Sequence, residues 1–160
     1  MLADAGLDVH LAEARYAVES DPQHNPFADD VVPTLSALQG AGRRLAVLSD
    51  IHFDLRLAFD AAGMHQLIDV FTLSFEQGLQ KPEPALFRLT LAALGAQAHE
   101  TLMVGDRSGP DGAAVEQGIT TLLLSPLHEP HRVSRRPAGD RVGSRSSWLL
   151  PQPVALVVRP

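Results

Sequence analysis

The chain has 160 residues, a formal net charge of −6 and no cysteine. Apolar residues make up 45% of it and charged residues 20%, a globular composition that excludes a wholly disordered chain. No apolar run approaches the length of a membrane span, the acidic balance argues against a nucleic-acid partner, and the absence of disulfides favours a cytoplasmic protein.

Helical patterns alternate with short apolar runs along the chain, which is typical of an α/β fold with a parallel sheet. Residues 1–20 predict a helix, and a connection rich in proline and aspartate follows at 21–30. Each strand is apolar, as expected of strands covered on both faces. The predicted strands are 45–48, 70–73, 101–104 and 119–124. The predicted helices are 32–39, 53–62, 84–94 and 113–117, each followed by a glycine.

The last part of the chain has a different composition. Residues 132–145 carry five arginines against one aspartate and show neither helical nor strand periodicity. This pattern favours a flexible basic segment over a nucleic-acid arm, because no aromatic residue lies among the arginines. Residues 154–158 predict a short strand whose partner the sequence does not identify, and docking beside the sheet stays open.

Polar residues follow two of the predicted strands. Ser49 and Asp50 follow the first strand, and Asp106 and Asp111 follow the third. Lys81 lies in the loop before the long helix. Taken singly, these are ordinary turn, capping or solvated residues. Because the carboxyl ends of parallel strands meet at one edge of a sheet, we expect the set to suit phosphate, through hydroxyl and ammonium groups, and Mg²⁺, through carboxylates.

Three segments, LAVLSD, QKPEPALF and LMVGDRSGPDGAA, resemble the second, third and fourth motifs of the haloacid dehalogenase-like (HAD) hydrolases. The resemblance implies a HAD-like, Rossmannoid α/β core at residues 27–125. It implies that Ser49 hydrogen-bonds a phosphoryl group and that Lys81 neutralises its charge. Asp106 and Asp111 would form a Mg²⁺ site, with Asp111 either at the metal shell or supporting Lys81.

Asp50 is the remaining residue that we assign to substrate binding on this resemblance. It would contact the substrate through its backbone or orient the loop that follows Ser49. Direct participation in catalysis is the less favoured interpretation of Asp50.

The first motif of the family, D-x-D-x-[TV], is missing. In the family its first aspartate attacks phosphorus and its second is a general acid and base. No acid before Ser49 has this spacing behind an apolar strand. The resemblance places the motif's strand in the middle of the sheet, so we expect the sheet to lack its first, central strand.

We therefore expect a truncated, C-terminal portion of a HAD protein. Residues 1–26 are interpreted as the remnant of a helical cap and its connection. Residues 126–160 are interpreted as a basic, flexible tail with a possible short strand at 154–158.

The resemblance implies a Mg²⁺-dependent phosphohydrolase that acts on a small phosphate ester through an aspartyl-phosphate, incomplete as the chain stands. The alternative is a non-catalytic HAD-like remnant or binding module, which the missing nucleophile favours. A dehalogenase ranks lower because dehalogenation does not require so acidic a metal site. A receiver-like signalling domain ranks lower because its acids precede the hydroxyl. The expected partner is a small phosphorylated molecule, and neither its identity nor the oligomeric state can be predicted.

Overall fold

The computed structural model describes residues 9–25, 27–125 and 154–159. Within these ranges no helix is both long enough and apolar enough to cross a membrane. The α-helices are Val9–Ser20 (α1), Val31–Gly40 (α2), Arg56–Ala61 (α3), Ser74–Gln77 (α4) and Pro84–Leu94 (α5). The strands are Arg44–Ser49 (β1), Val70–Leu73 (β2), Leu102–Gly105 (β3), Thr120–Leu123 (β4) and Val154–Arg159 (β5). Short 3₁₀ helices lie at Pro22–His24, His65–Leu67, Ala98–Glu100 and Gly112–Gln117.

The five strands form one sheet in the order β2-β1-β5-β3-β4. β1 pairs with β2, and β3 pairs with β4, in parallel. β5 runs antiparallel to both β1 and β3. Ser49 at the end of β1 pairs with Leu73 at the end of β2 and with Val154 at the beginning of β5. The carboxyl ends of β1 to β4 therefore share one edge of the sheet.

The sheet corrects one part of the predicted fold, because it is mixed rather than wholly parallel. The α/β class is confirmed, and the four predicted strands agree with the structure to within one residue at each end. The antiparallel member is β5, which begins at the edge where β4 ends. Because β5 starts at the edge where β4 ends, it can lie antiparallel to its neighbours without a crossover helix.

Two apolar layers cover the sheet, one on each face. Leu45 and Val47 of β1 pack into one layer with residues of α2 and α3. Ala46 and Leu48, which alternate with them, pack into the other layer with α5. Successive side chains of a strand point to opposite faces, so a strand buried between two layers is apolar throughout. This explains the uninterrupted apolar run that predicted β1.

α5 holds the loop that carries Lys81 in place. The helix begins at Pro84, which a first helical turn tolerates, and ends at Gly95 with a left-handed φ of 64°. Five of its residues are buried: Leu86, Phe87, Thr90, Leu91 and Leu94. The preceding loop is thereby fixed against the carboxyl edge of the sheet.

Two predicted helices differ from the structure. The helix predicted at 53–62 begins only at Arg56. The segment before it is not helical, and it buries the side chains of Ile51, Phe53 and Leu55. The element predicted at 113–117 is a 3₁₀ helix, Gly112–Gln117, and not an α-helix.

The predicted end regions lie partly outside the described residues. α1 is helical as predicted, whereas residues 1–8 lie outside the described part of the chain. No residue of α1 is buried. The arginine-rich residues 132–145 also lie outside it, so the flexible tail and the cap remnant stay predictions. The strand that was predicted at 154–158 is present as β5.

Candidate active site

The five residues that the sequence singled out all lie at the carboxyl edge of the sheet. Ser49 ends β1 and Asp50 follows it, while Asp106 follows β3. Asp111 immediately precedes the 3₁₀ helix Gly112–Gln117, and Lys81 lies in the loop before α5. The packing of α5 and the two parallel strand pairs brings these separate loops to one place.

A buried ion pair joins two of these loops. The Lys81 ammonium, whose side chain is 0% exposed, lies 2.6 Å from Oδ1 of Asp111, which is 1% exposed. The ammonium is also 3.5 Å from the carbonyl oxygen of Leu48, directly before Ser49. A buried ammonium requires such partners, because an unpaired charge in the interior is very costly. The pair therefore holds a cation at the carboxyl end of β1, where Ser49 is also buried.

The second oxygen of Asp111 closes the turn after β3. The backbone N–H groups of Asp106 and Arg107 donate to Oδ2 of Asp111 at 3.0 and 2.9 Å. Gly105 is required here, because a Cβ atom at this position would lie 2.6 Å from Cγ of Asp111. Both carboxylate oxygens of Asp111 are thus engaged, one by Lys81 and one by the turn.

Asp106 presents a carboxylate oxygen that no described residue satisfies. Its Oδ1 is buried and has no hydrogen-bond partner among the described residues. Burial, and then the nearby carboxylate of Asp111, raise the pKa of Asp106 above its ordinary value. A buried oxygen that lacks a donor is costly unless a ligand or ion completes it. Asp106 therefore fits a hard cation such as Mg²⁺, which prefers oxygen ligands.

No cluster of three or more candidate metal-binding side chains occurs within the ranges that the structure describes. This is compatible with Mg²⁺, which protein sites commonly hold through one or two carboxylates, with water and substrate phosphate as the other ligands. A zinc site would require three or four protein ligands.

Asp50 connects the loops after β1 and β3 with the Lys81 loop. Its Oδ1 accepts a hydrogen bond from the backbone N–H of Lys81 at 2.8 Å. Its Oδ2 lies 4.0 Å from the Lys81 ammonium and 3.7 Å from Nη1 of Arg107. These contacts are those of a residue that orients the loops. Sequence reasoning missed Arg107, although its place directly after Asp106 was a signal.

An open cleft of about 430 Å³ lies beside this cluster, between the loops that follow β1 and β2. Its lining residues are Asp50, Ile51, His52, Ser74, Phe75, Gly78, Leu79, Gln80 and Glu83. The Ser74 hydroxyl accepts from the Ile51 N–H and donates to the Ile51 carbonyl oxygen, both at 2.8 Å, and so joins the two loops. Sequence reasoning missed this cleft, because the recognised motifs contribute only Asp50, Gln80 and Glu83 to its lining, and the facing residues come together only through packing.

Comparison with known proteins gives a family match over most of the chain. Residues 1–117 match the family model of the haloacid dehalogenase-like hydrolases. The chain is 33% identical over 102 residues to a ribulose-1,5-bisphosphate 5-phosphatase of Halopiger xanaduensis, covering 62% of this chain and 43% of the relative. It is 28% identical over 124 residues to an (S)-2-haloacid dehalogenase of a Pseudomonas species, covering 77% of this chain and 54% of the relative.

A solved structure supports the same relationship. The crystal structure of a HAD phosphatase from Thermococcus onnurineus superposes with a TM-score of 0.62 at 25% sequence identity. The match covers 89% of this chain and 59% of that protein. The chain therefore spans about half the length of the relatives that it matches.

Proposed function

Because the chain belongs to the haloacid dehalogenase-like hydrolase family, we propose that it is a Mg²⁺-dependent phosphohydrolase of a small phosphate ester. The observation that carries this proposal is the cluster of Lys81, Asp111 and Asp106. It combines a buried ammonium with a carboxylate oxygen that no described residue satisfies. Phosphoryl transfer requires both a cation near the phosphate oxygens and carboxylates for the metal.

Ser49 and Lys81 bind the phosphoryl group in this proposal. Their polar groups lie at the carboxyl end of β1, with the ammonium 3.5 Å from the carbonyl oxygen of Leu48. Asp111 keeps Lys81 in position through the 2.6 Å contact. Asp50 orients the Lys81 loop through the backbone N–H of Lys81.

Asp106 holds the Mg²⁺ ion, since its unsatisfied oxygen suits a hard cation. Asp111 is not assigned as a metal ligand in this proposal, because both of its oxygens already have protein partners. It positions Lys81 and the turn that carries Asp106. When bound, Mg²⁺ would offset negative charge on the phosphoryl oxygens.

Hydrolysis through an aspartyl-phosphate needs a carboxylate that attacks phosphorus while the P–O bond to the leaving group breaks. Water then cleaves the acyl phosphate and releases inorganic phosphate. The family resemblance implies that this carboxylate lies on the strand between those ending at Ser49 and Asp106. In the described residues that place belongs to β5, whose sequence VALVVR contains no acid.

This last observation favours a second candidate function, a phosphate-binding module without catalysis. Such a module would keep Ser49, Lys81 and Asp106 for a phosphate and Mg²⁺ but would lack turnover. A dehalogenase ranks below both candidates, because Asp106 fits a metal that dehalogenation does not require.

Hydrolysis of p-nitrophenyl phosphate by the full chain, with Mg²⁺ or with EDTA, tests the proposal. The hydrolase candidate predicts Mg²⁺-dependent release of p-nitrophenol that Asp106→Asn and Lys81→Met reduce about a hundredfold or more, and it requires a nucleophilic carboxylate that β5 does not supply. Glu116→Gln, an exposed acid remote from the cluster, should retain full activity. Phosphate binding without turnover would favour the binding module, and neither binding nor turnover would contradict both functions.

A further inference from the structure

The open cleft beside Asp50 has no role in the function proposed so far. We infer that this cleft holds the part of the substrate that carries no reacting phosphate, and that it prefers an uncharged or cationic polar group to a second anion. The inference rests on the proposed function, because it requires the phosphate to lie at Ser49 and Lys81.

The cleft lies beside the loop that carries Lys81. Asp50 lines the cleft and also contacts Lys81 in the phosphate site. Gln80, the residue before Lys81, also lines the cleft. The cleft is therefore a neighbour of the candidate phosphate site through Asp50 and the Lys81 loop, and in this inference the ester extends from one to the other.

The size of the cleft fits a small metabolite. Its volume of about 430 Å³ lies in the lower part of the range of about 300–1,000 Å³ that is common for small-molecule sites. Its lining combines the apolar residues Ile51, Phe75 and Leu79 with polar residues such as Ser74 and Gln80. A short carbon chain with polar substituents matches this lining.

The charge of the cleft determines the class of ligand. Its lining contains the carboxylates of Asp50 and Glu83 and neither lysine nor arginine. Lys81 and Arg107 offset the charge of Asp50 at 4.0 and 3.7 Å. Glu83 has no basic partner among the described residues, and its Oε1 accepts only the backbone N–H of Gln80 at 3.0 Å. A second anion in the cleft would therefore face an uncompensated carboxylate.

His52 lines the cleft, and its imidazole ring contacts Glu19 and Phe53. Its Nε2 lies 2.6 Å from Oε2 of Glu19 at the end of α1. The imidazole ring also lies edge-on to Phe53, with ring centroids 5.5 Å apart. The one imidazole in the lining of the cleft thus lies next to a carboxylate, which disfavours an anion beside it.

Isothermal titration calorimetry of the full chain with Mg²⁺ tests the inference with four probes. Inorganic phosphate reports on the phosphate site alone. Glycerol 3-phosphate, O-phosphoethanolamine and 3-phosphoglycerate add an uncharged, a cationic and an anionic group. We expect the first two esters to bind more tightly than inorganic phosphate, and 3-phosphoglycerate to bind about tenfold more weakly than O-phosphoethanolamine.

Glu83→Gln separates the cleft charge from the phosphate site. The glutamine amide oxygen can still accept from Gln80 N–H, so the loop is preserved while the charge is lost. This variant should lose most of the tenfold discrimination, whereas Glu116→Gln should keep it. Equal or tighter binding of 3-phosphoglycerate, or unchanged discrimination in Glu83→Gln, would overturn this inference alone. Failure of inorganic phosphate to bind would overturn the proposed function as well.

Discussion

Lys81 illustrates how single residues constrain one another at this site. Its ammonium is buried against Asp111, and Asp111 in turn holds the backbone N–H groups of Asp106 and Arg107. The same contacts therefore position the ammonium that we propose to bind phosphate and the turn that carries Asp106, the proposed Mg²⁺ ligand. Removal of one partner leaves a buried charge without compensation.

We expect Lys81→Met to destabilise the protein by about 3–5 kcal/mol, because the Asp111 carboxylate stays buried and unpaired. Adding Asp111→Asn should recover much of this loss, since the asparagine amide oxygen can still accept from the two backbone N–H groups. Urea unfolding of both single variants and the double variant gives the coupling energy. Additive effects would show that Lys81 and Asp111 do not act as a pair.

Gly105→Ala should disturb the same cluster by sterics alone. Its new Cβ would lie against Oδ2 of Asp111 and 2.6 Å from Cγ. We expect a loss of about 1–3 kcal/mol of stability and weaker phosphate binding, because Asp111 must move away from Lys81. The matched control is Gly109→Ala, where a Cβ would have no neighbour within 4 Å. Equal unfolding midpoints for the two variants would contradict this explanation.

The sequence predicted the residue types of the site better than their contacts. Aspartates in the loop after an apolar strand indicated Asp106 and Asp111, and the loop before the long helix indicated Lys81. The link from Asp50 to the Lys81 N–H was not predictable, because it joins residues 31 positions apart whose proximity depends on the packing of α5. The position of Arg107 directly after Asp106 was a signal, but its approach to Asp50 depends on the same packing.

At the scale of elements, ion pairs join the short helices that flank the cleft. Arg56 at the start of α3 forms a bidentate ion pair with Glu76 of α4, in which Nη1 and Nη2 lie 2.7 and 2.8 Å from the two carboxylate oxygens. The hydrogen bond from Arg56 lowers the pKa of Glu76. This pair and the hydroxyl group of Ser74 hold together the loops that follow β1 and β2.

We expect Glu76→Gln to cost about 0.5–1 kcal/mol at pH 7, because the pair is partly exposed. A lowered carboxylate pKa contributes stability above the unfolded-state pKa of about 4.3, and this contribution is lost as the pH falls through the folded-state value. Urea unfolding at pH 7 and pH 3 should therefore show a difference that shrinks in acid. Glu100→Gln, whose carboxylate has no ion pair among the described residues, is the control. A difference that persists unchanged at pH 3 would assign the effect to another cause.

The strands were easier to predict than the helices. Burial on both faces makes β1 apolar throughout, and glycines ended the helices that precede the next strands. The start of α3 was misplaced because Ile51, Phe53 and Leu55 are buried every second residue. The burial of these residues in a bend and turn before α3 is set by tertiary packing, and helix propensity does not reveal it.

At the scale of the whole molecule, β5 is the central strand that connects the two halves of the sheet. It pairs with β1 over six residues and with β3 over three. Without it, β1 and β3 would each present an unpaired edge. The two strands that carry Ser49 and Asp106 thus depend on a segment more than 40 residues beyond Asp106 in the sequence.

Leu156→Pro should destabilise the protein by about 2 kcal/mol or more, because Leu156 pairs with Val47 on one side and Val104 on the other. Proline at this position removes a backbone donor from the centre of the sheet. Arg159→Pro should cost less, since Arg159 pairs only with Arg44 at the strand end. Similar unfolding midpoints in urea for both variants would contradict the central placement of β5.

The placement of β5 could not be predicted from its own residues. An apolar segment of six residues has the same pattern at an edge and at the centre of a sheet, and its partners lie far away in the sequence. The family resemblance predicted that the central strand is missing, whereas in the described residues β5 lies at the centre.

The most direct test of the account is the Mg²⁺-dependent binding of inorganic phosphate to the full chain, measured by isothermal titration calorimetry. The account predicts saturable binding that EDTA weakens, that Asp106→Asn weakens at least tenfold in the presence of Mg²⁺, and that Glu116→Gln leaves unchanged. Asp106→Asn should still fold, because the substitution removes a carboxylate oxygen that has no partner among the described residues. Absence of phosphate binding, or binding that neither Mg²⁺ nor Asp106 influences, would contradict the central claim.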